Sequence, residues 1–412
     1  MAIATLSAAG LLAKGRPPRI LVRSGWQWEN IGDIAHTPGL VALIETHIPD
    51  AQVTLFSTGL AGGAKEMLQK RFPRLRVIET LELTPGGALE KAFDESDMLI
   101  HGSAAGVQRQ HLDLWRKRSK KPYGLFGVTV SVTNEAASAK LDEAVKATLD
   151  SAAFVFTRET QSLANIRNAG IQAKVTDFVP DGTFSMDVAD DAAAAAYLAK
   201  TGLAGKRFIA VIPRLRYTPY HEFRKTGLPS PDEIQRRVGV NDRYKEEDAA
   251  KLREVVIAWV RKTGGQALLC PEMTYELGML GPLLYDPLPE DVKPKVVVRK
   301  EYWLPNEAVS IYKQARGVVS CECHSPIMAL TRGTPAFYAR QPEDTIKGQM
   351  YTDLGVGEWA PHIEQISPPA LAELVLSTLA KGEASRKRAR SAAAKAQAIQ
   401  AAAMKRVAKM IA

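Results

Sequence analysis

The chain has 412 residues, 46% of them hydrophobic and 24% charged, which excludes a disordered or disulfide-stapled miniprotein and suits two or three domains with cores of ordinary size. No apolar run is long enough to cross a bilayer. The formal charge of +9 is local: nine Lys and Arg against the single acid Glu383 place +8 on residues 381–412, so residues 1–380 carry about +1 and no nucleic-acid partner is indicated.

Residues 1–18 read as a leader. Positions 2–13 form a short apolar stretch like a signal-peptide core but without a positively charged start, so cytoplasmic residence and export both stay open. Residues 19–22 are the first buried strand. A polar, glycine-bearing loop follows over 24–33, then a helix over 38–47 with Leu40, Leu43 and Ile44 on one side. Strands at 51–56, 76–78, 97–102, 123–130 and 153–157 alternate with helices at 64–72 and 136–149. That alternation implies a parallel sheet. An Ala- and Asp-rich stretch, 187–205, reads as a boundary. The pattern then restarts with strands at 207–212, 266–270, 295–299, 317–324 and 335–338, and helices at 246–262, 305–314 and 327–332. The expected fold is α/β, with two Rossmann-like domains (19–190 and 206–380) facing a cleft. A basic Ala-rich helical tail, 381–412, follows, packed through Ile399, Ala403, Val407 and Ile411.

Three cysteines, Cys270, Cys321 and Cys323, are too few and odd in number for a disulfide framework. Cys321-Glu322-Cys323-His324 invites a zinc reading, but no second ligand pair at finger spacing exists. They are read as buried thiols, and no metal or other cofactor is expected.

In open parallel sheets, ligands bind beyond the carboxyl ends of the strands, so the loops there carry the candidate site. In Asn30-Ile31-Gly32-Asp33, a glycine before a helix lets backbone N–H groups approach an anion, and Asp33 either caps the helix or holds a sugar hydroxyl. Arg214 and Arg216 follow a strand, where planar guanidinium groups either bind a carboxylate or phosphate or form a solvated basic loop. Lys347 follows another strand and either reaches a phosphate or is a surface lysine. Glu272, after Cys270-Pro271, either accepts a sugar hydroxyl proton or caps a helix. Glu322 and His324 are expected on one face of a strand end, where a carboxylate beside an imidazole either raises its pKa and orients it for acid–base work or holds it as a capping histidine. Trp26 and Trp28 either stack on sugar rings or pack.

Taken together, these pieces resemble the polysaccharide pyruvyl transferase family from about Arg19 to about Trp359. The shared order is Asn30 to Asp33, a strand ending in the glycine loop of 97–103, Arg158-Glu159-Thr160-Gln161-Ser162, Pro180-Asp181, a strand ending at Arg214, and a strand ending at His324 before Gly333-Thr334-Pro335. The resemblance implies a glycosyltransferase-B-like fold and transfer of pyruvate from phosphoenolpyruvate to a carbohydrate hydroxyl as a cyclic ketal. In that scheme Arg214, Arg216 and Lys347 face the donor's charges, and His324 serves as the acid–base group.

One departure stands out. The family usually carries arginine two residues before the histidine, and this chain carries Glu322. At ~4 Å and an effective dielectric of about 20, a like-charge contact with the donor costs roughly 4 kcal/mol before screening. Arg216, Arg332 and Arg340 are the candidates to compensate. A nucleotide-sugar donor, or a non-catalytic glycan-binding role, are the competing readings.

Overall fold

The computed structural model describes residues 16–132 and 141–411. Most of the leader, and residues 136–140 of the helix expected over 136–149, lie outside the described residues. The first sheet has seven strands: β1 (Arg19–Arg23), β2 (Gln52–Phe56), β3 (Arg76–Ile78), β4 (Met98–His101), β5 (Tyr123–Val128), β6 (Phe154–Thr157) and β7 (Thr176–Phe178). They lie in the order β3-β2-β1-β4-β5-β6-β7, every neighbour parallel. The second sheet has five: β8 (Phe208–Ile212), β9 (Gln266–Leu269), β10 (Val296–Val298), β11 (Gly317–Ser320) and β12 (Ala336–Tyr338). Their order is β10-β9-β8-β11-β12, again all parallel.

Both sheets are therefore Rossmann-like, and both reverse strand order beside their first strand. Such a reversal opens a crevice at the carboxyl ends of the strands. The central strands are buried on both faces because helices cover both, which is why they read as unbroken apolar runs such as Phe208-Ile209-Ala210-Val211-Ile212. One apolar cluster joins Ile34 and Val41 of the first half, Val211 and Ile327 of the second, and Ala396 and Met404 of the tail. Leu21, Leu99 and Trp115 belong to a second cluster within the first half.

Several local features differ from the sequence expectation. The helix expected from residue 38 is Ile31–His47, with Pro38 in its interior. Asn30 caps it by accepting from the Gly32 and Asp33 N–H groups, so Asp33 is not the cap. The helix expected over 246–262 is Pro231–Thr263, started by Ser230, whose hydroxyl accepts from Glu233 N–H. Strand β11 stops at Ser320, and His324 opens the helix His324–Thr331. The Ser320 hydroxyl accepts the Glu322 N–H at 2.8 Å, turning the chain out of the strand. The boundary segment holds the helix Asp191–Lys200.

The tail is helix Glu383–Ile411, with Ala403, Val407 and Ile411 buried. It bridges both halves. Gln400 donates to the Pro180 and Asp181 carbonyls of the first, and Arg386 to the Ala315 carbonyl of the second.

Candidate active site

Strand-end loops of both sheets meet at one point. The loop after β9 pairs with the loop after β1 as an antiparallel bridge between Met273 and Asn30. Ile31 N–H donates to the Glu272 carbonyl at 3.0 Å, and Thr274 N–H to the Glu29 carbonyl at 2.9 Å. This clip brings the N-terminus of helix Ile31–His47 against that of helix His324–Thr331. The approach requires Gly32, because a Cβ there would stand 2.3 Å from the His324 Nδ1. Gly39 does the same two turns further on, where a Cβ would meet the Gly182 carbonyl oxygen at 1.9 Å. That contact holds Asp181 beside His36.

His324 sits at the centre, 4% exposed. Its Nδ1 lies 3.2 Å from Glu272 Oε1, and the other oxygen of Glu272 accepts the Ser325 N–H at 2.6 Å. Glu272 thus caps the helix from outside and orients the ring with one carboxylate. With the Nδ1 proton directed at Glu272, Nε2 carries a lone pair. That Nε2 faces His36 Nε2 at 3.1 Å and Asp181 Oδ2 at 4.0 Å. His36 Nε2 is 3.4 Å from Asp181 Oδ2 and 3.9 Å from Asp33 Oδ1. Burial pushes the His324 imidazole down to about 4 and that of His36 down to about 3, against the pull of Asp181, so both are neutral near pH 7. Burial pushes the Asp33 carboxyl up to about 7. Burial also opposes the charge of Asp181, but His36, His324 and Arg158 outweigh it and hold its carboxyl well below the usual range.

The Arg158-Glu159-Thr160-Gln161-Ser162 motif is the support behind this cluster. Arg158 Nη1 bonds Asp181 Oδ2 at 2.9 Å, and its Nε bonds the Thr129 hydroxyl at 2.6 Å and Glu159 Oε1 at 3.0 Å. Ser162 donates to Glu159 at 2.6 Å and accepts the Val130 N–H at 2.9 Å. The motif therefore ties the ends of β5, β6 and β7 together.

A cleft pocket of about 190 Å³ opens onto His324. Arg158, Arg214 and Lys347 line it, opposed by Asp33, Glu322, Glu343 and Asp344. Its cations are already engaged. Arg214 Nη1 meets Asp344 at 2.5 Å, and its Nε lies 3.0 Å from Glu322 Oε1 without the alignment of a hydrogen bond. Lys347 Nζ is 3.6 Å from Asp344. A larger groove of about 440 Å³, lined by Arg207, Trp259, Lys262 and Arg316, lies at the amino ends of the second sheet, away from the strand-end loops.

The sequence-predicted residues divide accordingly. Asn30, Asp33, Arg214, Glu322, His324 and Lys347 share the pocket, and Glu272 stands directly behind His324. The expected Glu322–His324 pair is corrected to Glu272–His324, because the turn at Ser320 ends the strand alternation on which the pairing rested. The expected rise in the histidine's pKa is likewise reversed by burial. Arg216 is not in the pocket lining. It grips Asp248 with Nε and Nη2 at 3.0 and 3.2 Å and stacks 3.6 Å from the Tyr244 ring. Arg332 and Arg340 also lie outside the lining. Trp26 is buried and donates to the Gly59 carbonyl, half-buried Trp28 packs edge-on to Tyr302, and neither lines the pocket. No metal ligands were expected, yet Asp33, His36 and His324 bring three ligand atoms within 4.8 Å of one another. His36 was missed, although its place three residues after Asp33 puts both on one helical face.

A model of the family described as polysaccharide pyruvyl transferase matches residues 30–339. No curated protein matches the sequence significantly. Among solved structures, the chain is similar to Anabaena Alr3699/HepE in complex with UDP-glucose, at 13% identity over 95% of this chain and 98% of that one, with a TM-score of 0.56. It is similar to the UDP-GlcNAc 2-epimerase of Methanocaldococcus jannaschii at 12% identity over 87% and 92%, TM-score 0.52. A UDP-glucose: anthocyanidin 3-O-glucosyltransferase in complex with UDP is similar at 10% identity over 96% and 99%, TM-score 0.53. At such identities the likeness is one of fold, the glycosyltransferase-B-like pairing of two Rossmann-like sheets.

Proposed function

The chain belongs to the polysaccharide pyruvyl transferase family, and from that membership we propose that it moves pyruvate from phosphoenolpyruvate onto two hydroxyls of a glycan as a cyclic ketal. The observation that carries the reading is the gathering of His324, Lys347, Arg214 and Arg158 in one pocket where both sheets end their strands. Lys347 and Arg214 face the donor's phosphate and carboxylate. Glu322 is the acid. Burial raises its carboxyl against the pull of Arg214, which favours the protonated form, and in that form Glu322 would neither repel the donor nor neutralise Arg214. Its proton goes to the enol carbon, which becomes a methyl group. Two sugar oxygens bond to the neighbouring carbon, and the bond from that carbon to the phosphate oxygen breaks. One hydroxyl proton replaces the proton lost by Glu322, and the other leaves with phosphate. The Nε2 lone pair of neutral His324 stands at the reacting centre, where it can take a hydroxyl proton or hold a cation.

Purified protein given phosphoenolpyruvate should release inorganic phosphate only when an acceptor glycan is present, and His324→Ala should abolish that release. A broad acceptor panel with no release sinks the proposal. One observation favours a second reading, a nucleotide-sugar donor in the same cleft: Arg214 is held by Asp344 with Glu322 beside it, which is poor provision for a compact anion. UDP-glucose bound to one of the similar folds and UDP to another are in keeping with it. Thermal stabilisation by a nucleoside diphosphate but not by phosphoenolpyruvate would select this reading.

A further inference from the structure

We propose that Asp33, His36 and His324 form a binding site for a divalent transition-metal ion beside the cleft pocket. Three ligand atoms, Asp33 Oδ1, His36 Nε2 and His324 Nε2, lie within 4.8 Å of one another. Ligands about 2.1 Å from a common ion stand roughly 3.0 Å apart across a right angle and roughly 4.2 Å apart when opposed. The separations of 3.1 Å between the two imidazoles and 3.9 Å between His36 and Asp33 fall in that span, and the third pair, Asp33 and His324, lies within 4.8 Å and closes to about 4.2 Å or less when both hold the ion.

The outer contacts suit such a site. Glu272 Oε1 takes the Nδ1 side of His324 at 3.2 Å, the carboxylate–histidine arrangement that turns Nε2 toward a metal. Gln27 donates to Asp33 Oδ2 at 2.6 Å, leaving Oδ1 for the ion. Without an ion, two Nε2 atoms face each other at 3.1 Å, and only one proton can lie between them. Asp181, 3.4 Å from His36 Nε2, adds negative charge, though Arg158 already occupies the same oxygen and Asp181 is therefore an outer partner. Asp33 and His324 line the pocket, so the remaining coordination positions open toward a ligand. Two imidazoles and one carboxylate select zinc, cobalt, iron or manganese over magnesium or calcium.

The idea deepens the pyruvyl-transfer reading, since an ion here would supply the unengaged cation that Arg214 and Lys347 do not, yet metal binding can be measured with neither donor nor acceptor present. Chelator-stripped, tag-free protein is titrated with Zn²⁺, Co²⁺, Mn²⁺ and Mg²⁺ by calorimetry, and with Co²⁺ by visible absorption. One Zn²⁺ or Co²⁺ per chain with a ligand-field spectrum is expected, with Mg²⁺ at least 100-fold weaker. Asp33→Ala and His36→Ala should each lower Co²⁺ affinity at least 100-fold, Glu272→Gln about 10–100-fold, and His47→Ala not at all. Should the alanine variants fail to fold, Glu272→Gln and the wild-type spectrum decide. Absence of one-to-one binding by the wild type, or binding undiminished in Asp33→Ala or Glu272→Gln, overturns the site. Phosphate release from phosphoenolpyruvate in excess chelator would overturn the link to catalysis while leaving the transfer reading intact.

Discussion

Gly32→Ala tests whether the contact between the two helix N-termini sets the position of His324. The added Cβ would stand 2.3 Å from Nδ1 and 2.4 Å from both Cβ and Cγ of His324. Carbon atoms in contact sit about 3.5–4.0 Å apart, so the overlap exceeds ~1 Å against three atoms at once. The ring has nowhere to retreat: Glu272 holds Nδ1 at 3.2 Å, His36 faces Nε2 at 3.1 Å, and the residue is 4% exposed. The two helices must therefore part by ~1 Å. Overpacking of this kind costs about 1–3 kcal/mol, offset by the ~0.5–1 kcal/mol that Ala gains over Gly inside a helix. A net loss of at most ~2.5 kcal/mol is expected, visible as a modest fall in melting temperature. Turnover should fall far more, about 100-fold, because a displacement of ~1 Å spoils the alignment of reacting groups. Gly239→Ala is the control. It makes the same change in helix Pro231–Thr263, at an exposed position with nothing within 4 Å, and should stabilise slightly with unchanged turnover. Wild-type turnover in Gly32→Ala would refute the reasoning.

Arg158→Ala leaves Asp181 and Glu159 buried without their cation, so a loss of about 3–5 kcal/mol is expected, read as a collapse of melting temperature or of soluble yield. Near-normal melting would show that the motif is not the support described above. Gln400→Ala removes side-chain partners of the Pro180 and Asp181 carbonyls and of the Ser185 hydroxyl. A destabilisation of about 1–3 kcal/mol is expected by denaturant titration, and turnover should fall as well because Asp181 stands beside His36. A variant as stable as the wild type would show that the tail helix does not brace the site.

The parallel sheets were legible because buried strands are continuous apolar runs and need no partner information to be recognised. What escaped were elements held by tertiary contacts. Helix Arg109–Arg118 carries only His111, Leu112 and Trp115 inward amid charged residues, and β7 is the three-residue edge strand Thr176–Phe178 with no apolar run. Pro38 looked like a helix start, yet burial along residues 31–44 and the Asn30 cap carry the helix through it. The first half of helix Pro231–Thr263 was overlooked although Ser230, Pro231 and Glu233 spell a helix start, because residues 231–245 show too little apolar periodicity. At the site, the residue types were readable and their pairing was not. Two acids follow strands of the second sheet, and sequence proximity pointed to Glu322 as the partner of His324. The turn at Ser320 and the close approach at Gly32 select Glu272, which is 52 positions away.

Glu322 and the histidine cluster belong to one electrostatic argument. An arginine at 322 would give the pocket a third guanidinium beside Arg158 and Arg214. The carboxylate instead lies 3.0 Å from Arg214, whose other side is already held by Asp344. Arg158 is committed to Asp181 and Glu159, and Lys347 stands 3.6 Å from Asp344. Every cation of the pocket is thus matched from within, and a doubly charged donor would have to displace a carboxylate, meet a protonated Glu322, or find positive charge elsewhere. His36 is the residue that offers the last route. It turns an aspartate and a histidine that the sequence had assigned separately into a three-ligand set beside the same pocket. If that set holds an ion, the acid at 322 balances a cation the chain itself does not encode. If it does not, protonation of Glu322 must carry donor binding, and the chelator experiment separates the two.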